Sequence, residues 1–177
     1  YNEMFPTYID AGAVEDMSSY VTDEDKKEYK YLSNGNMMDG QYGWPLVTGV
    51  PFVLYYNEDI LNALGEKAPE TWDDFARICQ EATKDTDGDG KVDQYGFACG
   101  MNTSDIGAMQ ILNAYYYSAL WQNGGQVYND DLKSVSFADE AGKEAVTWLK
   151  GLTSYMNEDF MSLSWSDAFS NVFGAGK

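Results

Sequence analysis

The chain has 177 residues, of which 44% are hydrophobic and 15% aromatic, so it has enough apolar material for a folded core and is not expected to be disordered. Its formal net charge is -18, from 29 acidic and 11 basic residues, and it contains no histidine. A surface this negative disfavours nucleic acid and anionic lipid as partners, and the lack of histidine excludes catalytic triads and zinc sites built on that residue.

The first third of the chain predicts one capped helix and two extended segments. Thr22 precedes an acidic-to-basic run over 23–31, which is the charge order that a helix dipole favours. Two apolar and aromatic runs follow, over 41–48 and 51–56. They predict extended segments separated by a bend at Gly49.

Two helices and a strand are predicted in the middle of the chain. Asn57 is a suitable cap for a helix over 58–64, and Thr71 for a helix over 72–83. The second helix is amphipathic, because its apolar residues recur at helical spacing. The run 94–99 after it is typical of a short strand.

The last third also alternates helices with extended runs. Ser104 or Asp105 caps a long predicted helix, 134–137 predicts a strand, and 139–155 predicts an amphipathic helix. A short final helix ends the series. Helices and strands that alternate in this way are typical of an α/β fold.

The two cysteines, Cys79 and Cys99, match no metal motif and allow at most one disulfide. We expect both to pack as small buried hydrophobic side chains, and the sequence leaves their redox state open.

No run of residues approaches the roughly 18 apolar residues of a membrane-spanning helix, and no basic, apolar signal segment opens the chain. Because the chain begins at Tyr1 and not at Met, we expect processing or a longer parent protein.

An acidic loop over 85–93 gives the most specific local signal. An EF-hand loop takes calcium ligands from positions 1, 3, 5, 7 and 9 around a glycine at position 6, which is Gly90 here. The predicted calcium ligands are Asp85, Asp87, Asp89, the Lys91 carbonyl and Asp93. The twelfth position is Gly96 where an EF-hand has Glu, and a predicted strand follows, so a structural role is expected and not that of a calcium sensor. The alternative is an acidic turn without a metal.

Several motifs, in this order, are shared with a known family of transport proteins. They are Tyr42-Gly-Trp-Pro45, Phe52-Val-Leu-Tyr-Tyr-Asn57, Pro69-Glu-Thr-Trp-Asp-Asp-Phe75, Tyr95-Gly-Phe97 after the acidic loop, Leu120-Trp-Gln-Asn-Gly-Gly125, 138–152, and Ser166-Asp-Ala-Phe169 with Gly176-Lys177. Together they resemble the family-1 extracellular solute-binding proteins, the sugar-binding, maltodextrin-binding-protein-like group that serves ABC transporters. The resemblance covers nearly the whole chain from about residue 8.

The resemblance implies an α/β, periplasmic-binding-protein-like (type II) fold that is only partly contained in this chain. Residues 1–48 would end the N-terminal lobe and approach the hinge, 49–53 would form the interlobe crossing, and 54–177 would belong to the C-terminal lobe. The chain would not be an enzyme, and its partners would be a small-molecule sugar and the membrane permease subunits of the transporter. The protein would be extracellular, either as a Gram-positive cell-surface lipoprotein or in a periplasm.

Solute-binding proteins of this group trap a sugar in the cleft between their lobes, where aromatic faces and amide or carboxylate groups suit it. The matching positions in this sequence are Trp44, Thr48, Asn102, Tyr116, Tyr117 and Trp165. The tyrosines can equally be core or helix-surface residues. Where the maltodextrin-binding pattern has an acidic sugar ligand, this chain has Gly49 or Val50, which argues against a maltodextrin substrate.

Two other functions fit parts of the sequence. A carbohydrate-active enzyme domain could use two of the 29 acidic residues as a carboxylate pair. A calcium-binding interaction module could use the acidic loop, although such modules predict a duplicated loop with helices on both sides.

Overall fold

The computed structural model describes residues 4–45, 52–102, 112–129 and 133–177. The chain divides into two units, Tyr1–Val53 and Leu54–Lys177, and each is described by itself. The predicted crossing over 49–53 lies largely outside the described residues, as do Thr48 and the proposed helix start at Ser104 or Asp105, so the assignment of lobes stays a prediction.

The first unit is built from short elements. Helix α1 is Phe5–Asp10, helix α2 is Asp23–Glu28, and a hairpin pairs strand β1 (Asn36–Met37) with strand β2 (Gly40–Gln41). Short 3-10 turns, Ser18–Tyr20 and Leu32–Gly35, connect them. The predicted cap of α2 is confirmed, because the Thr22 hydroxyl accepts from the Asp25 amide at 3.1 Å and the Asp25 carboxylate accepts from the Thr22 amide at 2.9 Å.

The second unit is mainly helical in its described residues. Its α-helices are α3 (Glu58–Leu64), α4 (Trp72–Ala82), α5 (Ser118–Gln122), α6 (Glu140–Leu152) and α7 (Trp165–Asp167). A π-helical turn, Leu112–Tyr117, leads into α5, and a second one, Ala168–Phe173, follows α7. A 3-10 turn, Thr153–Tyr155, ends α6.

The sequence specifies where these helices begin. The Asn57 side chain accepts from the Asp59 amide at 3.0 Å at the start of α3, and Thr71 forms a reciprocal capping box with Asp74 at the start of α4. Asp139 accepts from the Gly142 amide at 2.9 Å and caps α6. Each bond satisfies a backbone donor that the first turn of a helix leaves unpaired.

The core of the second unit consists of two buried clusters. The first core cluster is centred on Cys99, Leu152 and Met156, and the second core cluster on Ala119, Leu120 and Ala145. Trp148 of α6 packs against both clusters and joins them. The predicted apolar stripe of α6 is therefore confirmed as the face that holds the helices of this unit together.

The predicted strands of the second unit form single bridges and not ladders in the described part of the chain. Phe97 pairs with Met156, and Tyr128 pairs with Val135, each as an isolated bridge. The run 52–57 has no regular structure and its apolar side chains are exposed. A segment with a strand-like sequence forms a regular strand only when a neighbouring segment pairs with its backbone amides and carbonyls.

Both cysteines are buried, as predicted, with exposed fractions of 2% for Cys79 and 0% for Cys99, and both are free thiols. Burial raises the pKa of the Cys79 thiol to about 12 and that of the Cys99 thiol to about 11.

We therefore expect neither thiol of the native protein to react measurably with a disulfide reagent at pH 8, whereas both react after unfolding in denaturant. Above the unfolded thiol pKa of about 8.5, the unfolded chain ionises while the buried thiols stay protonated, so the stability of the folded state falls with rising pH until the buried thiols also ionise at 11 to 12. A colorimetric thiol titration with and without denaturant measures how many thiols react in the native and in the unfolded protein. Rapid labelling of the native protein would contradict the burial of these side chains.

Candidate functional site

The acidic loop after α4 is closed at its base by a backbone pair. The Lys84 amide donates to the Gln94 carbonyl at 2.9 Å, and the Gln94 amide donates back at 3.0 Å. Within the loop, Gly88 and Gly90 take positive φ angles of 80° and 91°, a conformation that side chains disfavour. The glycines thus let the chain turn tightly enough to bring alternate aspartates together.

Three of the predicted calcium ligands lie together. One carboxylate oxygen from each of Asp85, Asp87 and Asp89 lies within 4.8 Å of the other two, and all three side chains are exposed. Calcium binds oxygen at about 2.3 to 2.6 Å, so ligands on opposite sides of one ion are up to about 5 Å apart. The three carboxylates therefore have a spacing that a single calcium ion can bridge.

Backbone amides hold these carboxylates in place. Asp85 accepts from the Gly88 amide at 2.7 Å and from the Gly90 amide at 2.8 Å, and Asp89 accepts from the Lys91 amide at 2.8 Å. These bonds orient the side chains before any ligand binds, which reduces the entropy cost of ordering them.

Asp93, the fourth predicted acidic ligand, has a different role in this structure. Its carboxylate accepts from the Thr86 amide at 2.8 Å and from the Thr86 hydroxyl at 2.7 Å, and these bonds lower its pKa. Asp93 therefore stabilises the loop by linking its end to Thr86 near its start. Metal contacts from Asp93 and from the Lys91 carbonyl stay predictions.

Asn102 and Trp165, two predicted ligand residues, lie on segments that run side by side. The Met101 amide donates to the Phe160 carbonyl at 2.6 Å, and the Asn102 amide donates to the Leu163 carbonyl at 3.0 Å. The Asn102 side chain also donates to the Ser162 carbonyl at 3.0 Å.

Gly100 allows this close approach, because a Cβ there would overlap the Ser164 carbonyl oxygen. Trp165 follows directly as the first residue of α7, which Ser164 caps, and its side chain is 37% exposed. The structure therefore places Trp165 and Asn102 on adjacent segments, with an accessible indole on one and a half-buried amide on the other.

Tyr116 and Tyr117 lie elsewhere. Both pack against the second core cluster, where the Tyr116 hydroxyl donates to the Phe137 carbonyl at 3.2 Å and the Tyr117 ring packs on Trp121 at 5.3 Å between centroids. The neighbouring Tyr115, which the sequence did not single out, packs against the first core cluster beside Cys99. Three consecutive aromatic residues give no periodic signal that says which one faces which cluster.

Trp44 lies in the first unit, and Thr48 lies outside the described residues. The Trp44 ring is 37% exposed and meets the Tyr29 ring edge to face at 5.3 Å. Tyr29 also lines an open groove of about 600 Å³ in this unit, together with the buried Gln41 and the lysines Lys26 and Lys30. Trp44 is therefore an accessible aromatic ring whose position is supported by its contact with the Tyr29 ring.

The whole chain, residues 1–177, matches the family model described as bacterial extracellular solute-binding protein. The chain belongs to this family. The family assignment predicted from the sequence motifs is thereby confirmed.

Relatives of this solute-binding protein include proteins named as binding proteins in Brucella abortus (strain 2308) and Brucella suis biovar 1 (strain 1330). Each is 28% identical over 169 residues, an alignment that covers 88% of this chain and 38% of the relative. The chain therefore spans less than two fifths of the length of these curated relatives.

The fold is similar to that of a solved ABC transporter solute-binding protein from Agrobacterium radiobacter K84, crystallised in complex with ribitol. The TM-score is 0.58 at 19% sequence identity, and the match covers 90% of this chain and 39% of that one. The predicted solute-binding-protein fold, present in part, is confirmed by this likeness.

Family membership also confirms two broader predictions. Members of the family are solute-binding proteins and not enzymes, so the enzyme alternative is set aside, and they are extracellular, which agrees with the predicted periplasmic or cell-surface location. Among the described residues, no helix has the length and apolar character needed to cross a membrane.

Proposed function

We propose that this chain is part of the substrate-binding component of an ABC importer, and that the component captures a sugar or polyol in a cleft. Membership of the solute-binding family supports the binding role, and the similar fold of a ribitol-bound transporter protein supports a polyhydroxylated ligand. The permease subunits of the importer are the partners that this role requires. Attachment to the cell surface as a lipoprotein is one route to the extracellular location.

The observation that supports the ligand class best is the placement of Trp165 and Asn102 on adjacent segments. A sugar or polyol has apolar C–H faces edged by hydroxyl groups, and it is bound by aromatic rings together with side-chain amides. Trp165 offers an exposed indole, and the segment beside it carries the Asn102 amide. An anionic solute fits less well, because the chain carries a net charge of -18.

Thermal-shift screening of the full-length protein against ribitol, neutral monosaccharides and oligosaccharides tests this function. A ligand present at 100 times its Kd stabilises the folded state by about 2.7 kcal/mol, which corresponds to a rise in melting temperature of about 3 °C in the full-length protein. Titration calorimetry with the best ligand then gives the affinity. A shift with peptides, and none with any sugar or polyol, would contradict the proposed ligand class.

We further propose that the acidic loop binds one calcium ion in a structural role. Three aspartates with a spacing that suits calcium, and amides that orient all three of them, support this proposal. The loop joins the end of α4 to the segment 94–99, which leads to Asn102, so calcium would stabilise the connection that supports this part of the site.

A further inference from the structure

We propose that Asn157 is a positioning residue of the ligand site, whose buried side-chain amide fixes the register between the segment that carries Asn102 and the segment that leads to Trp165. This inference rests on the proposed function, since Asn102 and Trp165 contact a ligand only if that function is correct. Asn157 lies outside the motifs that indicated the family.

The two segments begin to pair as parallel strands. Phe97 forms a parallel bridge with Met156, and the Phe97 amide donates to the Tyr155 carbonyl at 3.0 Å. In a regular parallel ladder, the next amide to point the same way, that of Cys99, would donate to the backbone carbonyl of Asn157. The structure departs from the regular ladder at this step.

The Asn157 side chain replaces the missing backbone acceptor. The Asn157 carbonyl accepts from the Phe160 amide at 3.1 Å, because the chain turns away at this point. The side-chain oxygen accepts from the Cys99 amide at 2.8 Å instead. The side-chain nitrogen donates to the Asp159 carboxylate at 2.7 Å. One end of the amide therefore meets a donor and the other an acceptor, which fixes its orientation.

The hydrogen bond between Asn157 and Cys99 lies in the interior of the unit. Asn157 is 2% exposed and follows Met156 of the first core cluster directly, and Cys99 of the same cluster is 0% exposed. A shift in register would leave the buried Cys99 amide without its acceptor, which costs free energy because water cannot replace the lost bond. The pairing is therefore specified at this point by a side chain.

The segments meet again where the predicted ligand residues lie. The Asn102 amide donates to the Leu163 carbonyl at 3.0 Å, and Trp165 follows two residues after Leu163. Asn102 lies only three residues beyond the Cys99 amide, so little chain is available to absorb a change in register at Asn157. Asn157 therefore controls which residues of the second segment come to lie beside Asn102.

The test is site-resolved amide hydrogen exchange, measured by NMR on the full-length protein, with Asn157→Ala as the first variant. We expect the Cys99 and Asn102 amides to exchange about tenfold faster than in the wild type, because one loses its acceptor and the other its fixed register. The Gly96 amide, which donates to the Thr83 hydroxyl at 3.1 Å, should keep its rate.

Thr83→Val is the matched control. It removes a side-chain acceptor from the same segment, at the end away from the ligand residues. Exchange should become faster at Gly96 and stay within about twofold of the wild type at Asn102. Equal acceleration at Gly96 and at Asn102 in Asn157→Ala would reveal general destabilisation and overturn the inference.

Two variants of the exposed Asp159 decide the question even if Asn157→Ala does not fold. Asp159→Ala removes the carboxylate that orients the Asn157 amide, and the Cys99 and Asn102 amides should exchange about threefold faster. Asp159→Asn keeps an acceptor oxygen, so it should retain wild-type rates within about twofold. Wild-type rates in Asp159→Ala would contradict the role of the oriented amide.

Ligand affinity gives the second readout, with ribitol or the best ligand of the screen as the probe. Asp159→Ala should weaken binding about threefold and Asn157→Ala about tenfold, whereas Thr83→Val should stay within about twofold. An equal loss of affinity in Thr83→Val would overturn the positioning role. If the wild-type protein binds no sugar or polyol, the proposed function fails, while the exchange rates still decide whether Asn157 fixes the register.

Discussion

Millimolar calcium is expected to raise the melting temperature of the full-length protein by about 3 °C relative to excess chelator. Calcium that binds the folded loop and not the unfolded chain stabilises the protein by about 2.7 kcal/mol at 100 times its Kd. The folded loop gathers Asp85, Asp87 and Asp89 within 4.8 Å, whereas an unfolded chain disperses them. Differential scanning calorimetry in calcium, in magnesium and in chelator measures the effect.

Two variants make the calcium prediction specific. Asp87→Asn should abolish most of the calcium shift, yet in chelator it should melt no lower than the wild type, because it relieves repulsion between clustered carboxylates. Asp10→Asn, which removes one negative charge from the first unit, should retain the full shift and so controls for net charge. Equal melting of the wild type in calcium and in chelator would rule out the site, and an equal shift with magnesium would make it a general divalent effect.

Local features of the structure could be predicted from the sequence because they depend on neighbouring residues. Thr22, Asn57 and Thr71 cap helices where they were expected to, since a capping bond needs only a short polar side chain two or three residues before an amide. The clustering of Asp85 with Asp87 and Asp89 follows in the same way from alternate spacing and glycines.

Features that depend on distant partners could not be predicted. The segment 94–99 has a strand-like sequence, but its pairing depends on Lys84 on one side and Met156 on the other. Likewise, nothing in the run Tyr115-Tyr-Tyr117 indicates that the first ring faces Cys99 and the next two face Leu120. Three consecutive aromatic side chains satisfy any helical register, and tertiary packing decides among them.

Replacement of Trp165 by alanine is expected to weaken sugar or polyol binding by roughly 30-fold, which is about 2 kcal/mol and typical of a tryptophan at the centre of a binding site. The expectation depends on the exposed indole as the apolar surface against which the ligand packs, beside the Asn102 amide. Titration calorimetry on the full-length protein measures the change. Melting without ligand should fall only slightly, because α7 keeps its Ser164 cap and the removed ring is 37% exposed.

Trp121→Ala provides the matched control for this prediction. Trp121 is a tryptophan of the same unit, 55% exposed, and packs on the Tyr117 ring near the second core cluster. If the ligand site is built around Trp165 and Asn102, loss of Trp121 should leave the affinity within twofold. The reverse result, weak binding after Trp121→Ala and normal binding after Trp165→Ala, would move the ligand to the face that carries Tyr116 and Tyr117. The two substitutions therefore decide between the faces of the unit, because each removes an exposed indole from only one of them.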